Sequence, residues 1–307
     1  AELVEVVEPS AGRVEPLCKH FGECGGCQWQ HIAYSAQLAY KRQILAGQMA
    51  RLAGLPGASI ASAVGMEIPW NYRNHVQFAL DEEGRLAFQA ARSHRLVAIE
   101  ECYLLHPLLE DILASLELDF SGLKRLSLRA GVVTEDALMV LEVAGDELPE
   151  LEADVPISCV AVMGDGSFLA LVGRDYIEEE VAGRRYRISA GSFFQVNTAQ
   201  AEHLVRLVGE ALAPQGGETL WDLYCGVGIL GLSLADRVQA VVGVEESASA
   251  VADARLNARD RANVAIIEGQ VERVLTERRQ DMGQRVDLAI VDPPRAGMDA
   301  AALVALA

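Results

Sequence analysis

One stretch of this sequence, residues 218–246, constrains the fold more than any other. An apolar run that ends in Asp222 has the character of a buried parallel strand, and the tight turn Gly226-Val227-Gly228 follows it. A short helix over residues 229–235 then leads to a second apolar strand, residues 240–244, which ends on the acid Glu245. Strand, glycine loop, helix, strand and acid in this order predict an α/β fold with a doubly wound sheet that binds a nucleotide.

The glycine loop is compatible with two ligands. Gly226-x-Gly228-x-x-Gly231 matches the fingerprint of NAD-binding loops. However, Asp222 just before the loop would repel a pyrophosphate but not a cationic sulfonium amino acid. A further apolar strand, residues 286–291, runs into Asp292 and two prolines, which form a rigid rim on the ligand crevice. These features favour S-adenosylmethionine over NAD, and a sheet with tight glycine turns and no ligand is the remaining alternative.

The composition is that of a globular chain. At 307 residues there is room for two domains or more, and 51% hydrophobic residues with a mean hydropathy of +0.17 suffice for a packed core. No apolar run is long enough to span a bilayer and no signal-peptide pattern is present, so we expect a soluble, cytoplasmic protein without a membrane partner. The net charge of −18 argues against indiscriminate binding of nucleic acid but allows a local basic groove.

Six cysteines in such a chain indicate a metal site or catalysis rather than disulfides. Three of them lie within ten residues, and the glycines between the last two let the backbone wrap a small object: Cys18, Cys24 and Cys27. The wide first gap favours an iron–sulfur cluster, with zinc as the alternative. Candidates for a fourth ligand are Cys102, Cys159 and Cys225. Cys102 lies in a connection that can reach back, whereas Cys159 lies in a predicted strand and Cys225 in the glycine loop.

Residues 70–190 predict an antiparallel α+β domain. Turn signals separate strands at 76–80 and 86–90, at 126–132 and 137–143, and at 157–163 and 168–172, with a helix near 107–116; another helix is expected over 36–52. The basic residues of this region form clusters that predict either solvated hairpin faces or one phosphate-binding face: Arg73, His75, Arg92, His94, Arg95, Lys124, Arg125, Arg129, Arg184, Arg185 and Arg187.

The segment Ser192-Phe-Phe-Gln195-Val-Asn197 leads into a helix predicted over 198–212. Asn197 and Gln200 make a capping pair for that helix, so Asn197 needs no ligand to explain it. Gln195 has no such structural role. It is therefore a candidate contact for the ligand of the glycine loop.

Five motifs occur here in the order seen in the RNA uracil-5-methyltransferases: Cys-x5-Cys-Gly-Gly-Cys-Gln-Trp-Gln-His, Tyr72-Arg73-Asn74, Ser-Phe-Phe-Gln-Val-Asn, Asp-Leu-Tyr-Cys-Gly-Val-Gly and Asp-Pro-Pro-Arg. The chain most resembles the iron–sulfur branch that acts on 23S rRNA, and the resemblance covers essentially its whole length. It implies a Rossmann-like S-adenosylmethionine-dependent methyltransferase sheet, incomplete at its C-terminus. An antiparallel α+β domain with an iron–sulfur loop would precede that sheet.

The resemblance also implies particular residues. A 4Fe–4S cluster would be held by Cys18, Cys24, Cys27 and Cys102, and S-adenosylmethionine would contact Gln195, Tyr224, Glu245 and Asp292. The expected partner is RNA, 23S rRNA in the first place and tRNA as the alternative, with the protein as a monomer. Two departures bear on cofactor affinity: Ile229 stands where some relatives carry Asn, and Gln270 where an acid or Asn often lies near the adenine.

Three regions are expected from these observations. Residues 1–16, with one strand at 4–9, would be the remnant of an N-terminal β-barrel module of the TRAM type. Residues 17–185 would form the iron–sulfur and RNA-binding domain, with the helix at 36–52 against the catalytic domain, and residues 186–307 a truncated methyltransferase domain.

The expected chemistry needs a cysteine thiolate that adds to C6 of uracil, so that C5 can attack the sulfonium methyl group, and a base that then removes the C5 proton. The resemblance places that cysteine and a glutamate base beyond Ala307, so no catalytic residue is assigned here and this chain is expected to bind cofactor without methylating. Two other classes stay open: an NAD-dependent oxidoreductase, and a non-catalytic iron–sulfur RNA-binding module.

Overall fold

Both the antiparallel domain and the parallel sheet that the sequence predicts are present. A computed structural model describes residues 5–118, 122–145, 148, 151–153, 156–278 and 286–306. No helix in these ranges is long and apolar enough to cross a membrane. Residues 5–9 are not in a strand, so most of the strand predicted at 4–9 is wrong; its first residue lies outside the described ranges.

The first helix, α1 (Tyr34–Arg51), agrees with the prediction of 36–52. It ends just before Gly54, whose φ of +68° stops the helix. None of its residues is buried, so α1 lies on the surface. Its start is fixed to residues 18–32, which we name the cysteine loop, because the Gln37 side chain donates to the carbonyl groups of Trp29 and Ile32.

In chain order the strands of the antiparallel domain are β1 (His75–Leu80), β2 (Leu86–Gln89), β3 (Leu96–Ala98), β4 (Leu116–Leu118), β5 (Leu123–Ala130), β6 (Ala137–Val143), β7 (Leu151–Ala153), β8 (Ser158–Val162) and β9 (Phe168–Val172). Seven of them form one sheet in the spatial order β3-β2-β1-β5-β6-β8-β9, and β4 and β7 pair separately. Helix α2 (Pro107–Ser115) confirms the predicted helix.

The three predicted hairpins, β1–β2, β5–β6 and β8–β9, are all confirmed. Strand alternation divides the sheet into two faces. Val76 and Phe78 of β1 belong to a buried core together with Ile112 of α2, whereas the neighbouring residues His75 and Gln77 of β1 line two cavities. One face of the sheet therefore packs on α2, and the opposite face borders these cavities.

A hairpin, β10 (Tyr176–Val181) and β11 (Arg184–Ser189), connects the two sheets. Asn257 holds it to the catalytic domain, since its side chain accepts from the Arg187 N–H at 2.8 Å and donates to the Arg187 carbonyl at 3.1 Å. The predicted domain boundary after residue 185 falls inside β11. The hairpin is one ladder that pairs Tyr176 with Ser189, and it contacts both domains, since Glu179 of β10 also accepts from the N–H groups of Val132 and Val133 after β5.

The elements of the catalytic domain are α3 (Thr198–Leu212), β12 (Thr219–Leu223), α4 (Ile229–Leu234), β13 (Ala240–Glu245), α5 (Ala248–Asn257), β14 (Val264–Glu268), α6 (Val271–Arg278), β15 (Leu288–Val291) and α7 (Ala300–Leu306). The strands form a parallel sheet in the order β14-β13-β12-β15, the start of a doubly wound arrangement. Helix α3 occupies the predicted range 198–212, whereas strand β14 and the helices on either side of it were not predicted.

Candidate cofactor site and cysteine cavity

The glycine loop brings helix α4 close against strand β12. Gly226 and Gly228 have φ angles of +55° and +93°, a region that side chains other than glycine rarely adopt. A Cβ atom on Gly231 would lie 2.7 Å from Asp222 Oδ2, and the Gly231 N–H donates to that oxygen over 2.7 Å. Glycine at this third position therefore lets the loop close onto Asp222.

A cavity of about 60 Å³ lies beside this loop at the carboxyl ends of β12 and β15. Three of the four predicted cofactor contacts, Gln195, Tyr224 and Asp292, line it together with Asp222. Burial raises the pKa of Asp222 to about 7, and the carboxylates of Asp292 and Glu245 also raise it. Such a concentration of acids matches a cationic ligand better than a pyrophosphate.

Glu245, the fourth predicted contact, ends β13 as expected but does not line the cavity. Its Oε2 accepts from the Gly226 N–H at 2.9 Å, and its Oε1 accepts from the N–H groups of Glu246 and Ser247. A carboxylate has about four acceptor positions, so roughly one stays available for a ribose hydroxyl. Glu245 therefore shapes the loop, and its contact with the cofactor stays a prediction.

Tyr224 is held by a residue that the sequence did not indicate. Its backbone φ is +63°, a strained value that is typical of functional loops. Its hydroxyl donates to Glu272 Oε1 of helix α6 at 2.5 Å. Burial and this hydrogen bond raise the pKa of Tyr224, so the phenol keeps its proton. No signal in the sequence marks Glu272, because the pairing depends on how α6 packs.

Gln195 is positioned from the antiparallel domain. The buried Asn74, just before β1, donates from its backbone to the Val196 carbonyl at 3.0 Å. Its side-chain amide donates to the Gln195 carbonyl at 3.1 Å and to Thr198 Oγ1 at 3.0 Å. Thr198 in turn donates to Glu179 at 2.8 Å. Asn74, the last residue of the motif Tyr72-Arg73-Asn74, is therefore the clamp on the Gln195 segment.

Asn197 is a helix cap, as predicted. Its Oδ1 accepts from the Gln200 N–H at 3.0 Å at the start of α3. The capping pair therefore accounts for Asn197 without a ligand.

The four cysteines implied as cluster ligands line one cavity of about 390 Å³: Cys18, Cys24, Cys27 and Cys102. All of them are free thiols. The Gly25 N–H of the cysteine loop donates to the Gln89 carbonyl at 2.9 Å, which anchors the loop on β2. Within the described ranges, no three His, Cys, Asp or Glu residues are arranged to hold a metal ion. The thiols thus surround a shared space rather than converge on one point.

The other two cysteines lie elsewhere. Cys159 is fully buried in β8, and burial raises its pKa to about 11. Burial also raises the pKa of Cys225, with contributions from Asp222 and Glu245. The Cys225 thiol is therefore kept protonated.

The predicted basic face is largely made of arginines that stabilise the protein itself. Arg184 pairs with Asp260 at 2.6 Å and Arg187 pairs with Asp253 at 3.1 Å, which fixes the hairpin to the catalytic domain. Arg129 is buried and donates to a backbone carbonyl. Arg125, Arg185 and Arg95 also have carboxylate partners within 4.0 Å. Six of these eleven basic residues therefore have partners within the protein, and a phosphate-binding face stays a prediction. Arg73 and His75 line the cysteine cavity instead.

The strand order, the glycine loop and the acid-lined cavity define an α/β domain of the methyltransferase class. Residues 160–306 match the family described as tRNA (Uracil-5-)-methyltransferase. An uncharacterized RNA methyltransferase of Streptomyces avermitilis is 37% identical over 97% of this chain and 72% of its own length. A second, from Thermosynechococcus vestitus, is 37% identical over 99% of this chain and 75% of its own. The chain belongs to the RNA (uracil-5-)-methyltransferase family and is an RNA methyltransferase.

A solved structure supports the fold over the whole chain. The Pyrococcus abyssi tRNA (uracil-54, C5)-methyltransferase, in complex with S-adenosyl-L-homocysteine, superposes with a TM-score of 0.74 at 24% identity, over 98% of this chain and 75% of that one. The family membership leaves no support for the NAD-dependent oxidoreductase or for the non-catalytic RNA-binding module.

Proposed function

We propose that the protein uses S-adenosylmethionine to methylate C5 of a uridine in 23S rRNA, through a cysteine–C6 adduct. The observation that carries the cofactor assignment is the cavity that joins Gln195, Tyr224 and Asp292 beside the glycine loop. S-adenosylmethionine supplies an electrophilic methyl group on a cationic sulfur, which suits an acid-rich crevice.

Four residues of the cavity, and Glu245 beside it, have a part in this proposal. Asp222 and Asp292 provide negative charge for the cationic end of the cofactor, and Glu245 presents an acceptor to the ribose. Tyr224, fixed by Glu272, gives a rigid aromatic wall. Gln195 offers an amide at the mouth, held there by Asn74. These side chains are held in place before the ligand binds, so they can orient the bound cofactor toward the target base.

The cysteine cavity is proposed to hold a 4Fe–4S cluster on Cys18, Cys24, Cys27 and Cys102. Four free thiols around about 390 Å³ of shared space suit a cluster, which takes one thiolate for each iron. A single zinc ion on the same thiolates, each about 2.3 Å from the metal, is the competing occupant. When bound, the cluster would cross-link the cysteine loop to the segment before α2.

The choice of 23S rRNA rests on the resemblance of the cysteine pattern to the iron–sulfur branch, and tRNA is the competing substrate. Deletion of the gene, followed by mass spectrometry of nucleosides from purified 23S rRNA and tRNA, separates them. We expect 5-methyluridine to be lost from 23S rRNA and retained in tRNA. Loss from tRNA alone would transfer the assignment to tRNA, and no loss from either RNA would contradict the proposed reaction.

A further inference from the structure

A second large cavity, of about 680 Å³, lies between the cysteine loop, the start of α1 and the start of α3. Its walls carry four aromatic side chains, Trp29, Tyr34, Trp70 and Tyr72. We name it the aromatic cavity. Its volume is within the range of small-molecule sites, and its aromatic walls are the kind of surface on which planar groups stack.

The charge of the lining indicates what kind of group fits. In a chain of net charge −18, the aromatic cavity has one acid, Glu15, and one base, Lys41. A phosphate needs an excess of cations, which is missing from this lining. The side chains of Gln28 and Gln200 face the cavity without a hydrogen-bond partner in the described part of the chain. Aromatic faces with unused amide groups suit a neutral, planar, polar ligand, and a nucleobase has these properties.

The position of the aromatic cavity connects it to the reaction. Asn197 and Gln200 line both this cavity and an adjoining groove of about 440 Å³, which is also lined by Gln195. On its other side the aromatic cavity shares Cys27 and Leu104 with the cysteine cavity. A strand of RNA that presents its uridine at Gln195 would therefore place a neighbouring nucleotide at the aromatic cavity.

We propose that the aromatic cavity binds an unpaired nucleobase of the substrate RNA, close in sequence to the uridine that is methylated. This inference rests on the proposed function. Trp70 and Trp29 supply stacking faces, and the free amides of Gln28 and Gln200 supply hydrogen bonds to the edge of the base. The cysteine loop thereby acquires a role in RNA binding, because Trp29 lies on that loop and Gln37 holds it in place.

The tryptophans give a direct readout. The chain has three, and Trp221 is fully buried in β12, so quenching by added RNA reports on Trp29 and Trp70. We expect a single-stranded oligoribonucleotide of mixed sequence to quench the emission of the purified protein and a blunt RNA duplex not to quench it, because paired bases cannot enter the cavity. Equal quenching by the duplex would overturn the proposal, since it would indicate a backbone site. Absence of quenching by either RNA would overturn it as well.

Substitution of Trp70 tests the stacking. Because stacking on one aromatic side chain is worth about 1–3 kcal/mol, Trp70→Leu should weaken binding of the single strand about 5- to 150-fold, whereas Trp70→Phe should largely retain it. Ile44→Ala, an exposed apolar position of α1 outside the lining, serves as the control. Parent affinity in Trp70→Leu would refute the site.

Binding of S-adenosylhomocysteine is measured in parallel and should be the same in all these variants. Failure of the parent protein to bind it would count against the proposed function. Cofactor binding with no effect of Trp70→Leu on RNA would count against the aromatic cavity alone.

Discussion

Asn74→Ala should weaken both the fold and cofactor binding, because one amide connects the antiparallel domain to the Gln195 segment. The substitution removes two side-chain hydrogen bonds, to the Gln195 carbonyl and to Thr198 Oγ1. Each bond contributes about 1 kcal/mol, and acceptors left buried add to the loss. We therefore expect a decrease of about 2–3 kcal/mol in the free energy of unfolding.

Thr198→Val completes a double-mutant cycle. This change removes the same Asn74–Thr198 bond and also the bond from Thr198 to Glu179. Since the shared bond is lost in either single variant, the double variant should be less destabilised than the sum of the two by about 1 kcal/mol. Urea unfolding of the four proteins, compared at constant m-value, gives the coupling.

Gln77→Ala is the matched control, because this exposed amide lies in β1, the strand that Asn74 directly precedes. It should stay within about 0.5 kcal/mol of the parent. Titration with S-adenosylhomocysteine should show about 5-fold weaker binding by Asn74→Ala, equivalent to about 1 kcal/mol, and no change for Gln77→Ala. Strictly additive losses in the cycle, or unchanged cofactor affinity in Asn74→Ala, would refute the clamp.

Three further results are expected. Asp222 has a pKa of about 7 in the folded protein and about 3.9 in the unfolded chain, so the native state binds more protons between these values and the free energy of unfolding falls as pH rises from about 4 to 7. In urea unfolding over this range the parent should lose up to about 4 kcal/mol more than Asp222→Asn. Parallel pH profiles of the two proteins would contradict this. Protein purified without oxygen should contain iron and acid-labile sulfide in equal amounts. Both should be lost in Cys24→Ser and Cys102→Ser and kept in the control Cys159→Ser, whose thiol is buried elsewhere. Stoichiometric zinc in place of iron would exclude the cluster. Glu272→Gln should keep the hydrogen bond from the Tyr224 hydroxyl, and Glu272→Leu should lose it. Calorimetry should therefore show weaker binding of S-adenosylhomocysteine only for Glu272→Leu. Equal affinities of the two variants would show that Glu272 does not position Tyr224.

The parts of the fold that could be predicted are those with short-range signals. Asp81 to Gly84 marks the first hairpin, because Asp81 accepts from the backbone of Glu83 and Arg85 and Gly84 has a positive φ. The glycine loop is likewise local in origin. Strand β14 (Val264–Glu268) was not predicted, because the apolar run over residues 264–267 is too short to distinguish a strand from a helix.

The sequence predicts individual residues of the candidate cofactor site but not the residues that hold them in place. Gln195, Tyr224 and Asp292 were found because each lies in a recognisable motif, and they do line one cavity. Their supports, Asn74 and Glu272, are 121 and 48 positions away in sequence from the residues they hold, so no local pattern reveals them. Partners of arginines can be equally non-local, and for that reason the clusters did not reveal that Arg184 and Arg187 form ion pairs with Asp260 and Asp253.

The central claim is that the crevice beside the glycine loop binds an adenosyl sulfonium cofactor rather than a dinucleotide. Isothermal titration of the purified protein with S-adenosylhomocysteine and, separately, with NADH tests it most directly. We predict saturable binding of S-adenosylhomocysteine, weakened by Asp292→Ala at the rim of the cavity, and no binding of NADH. Binding of NADH in the absence of any binding of S-adenosylhomocysteine would contradict the claim.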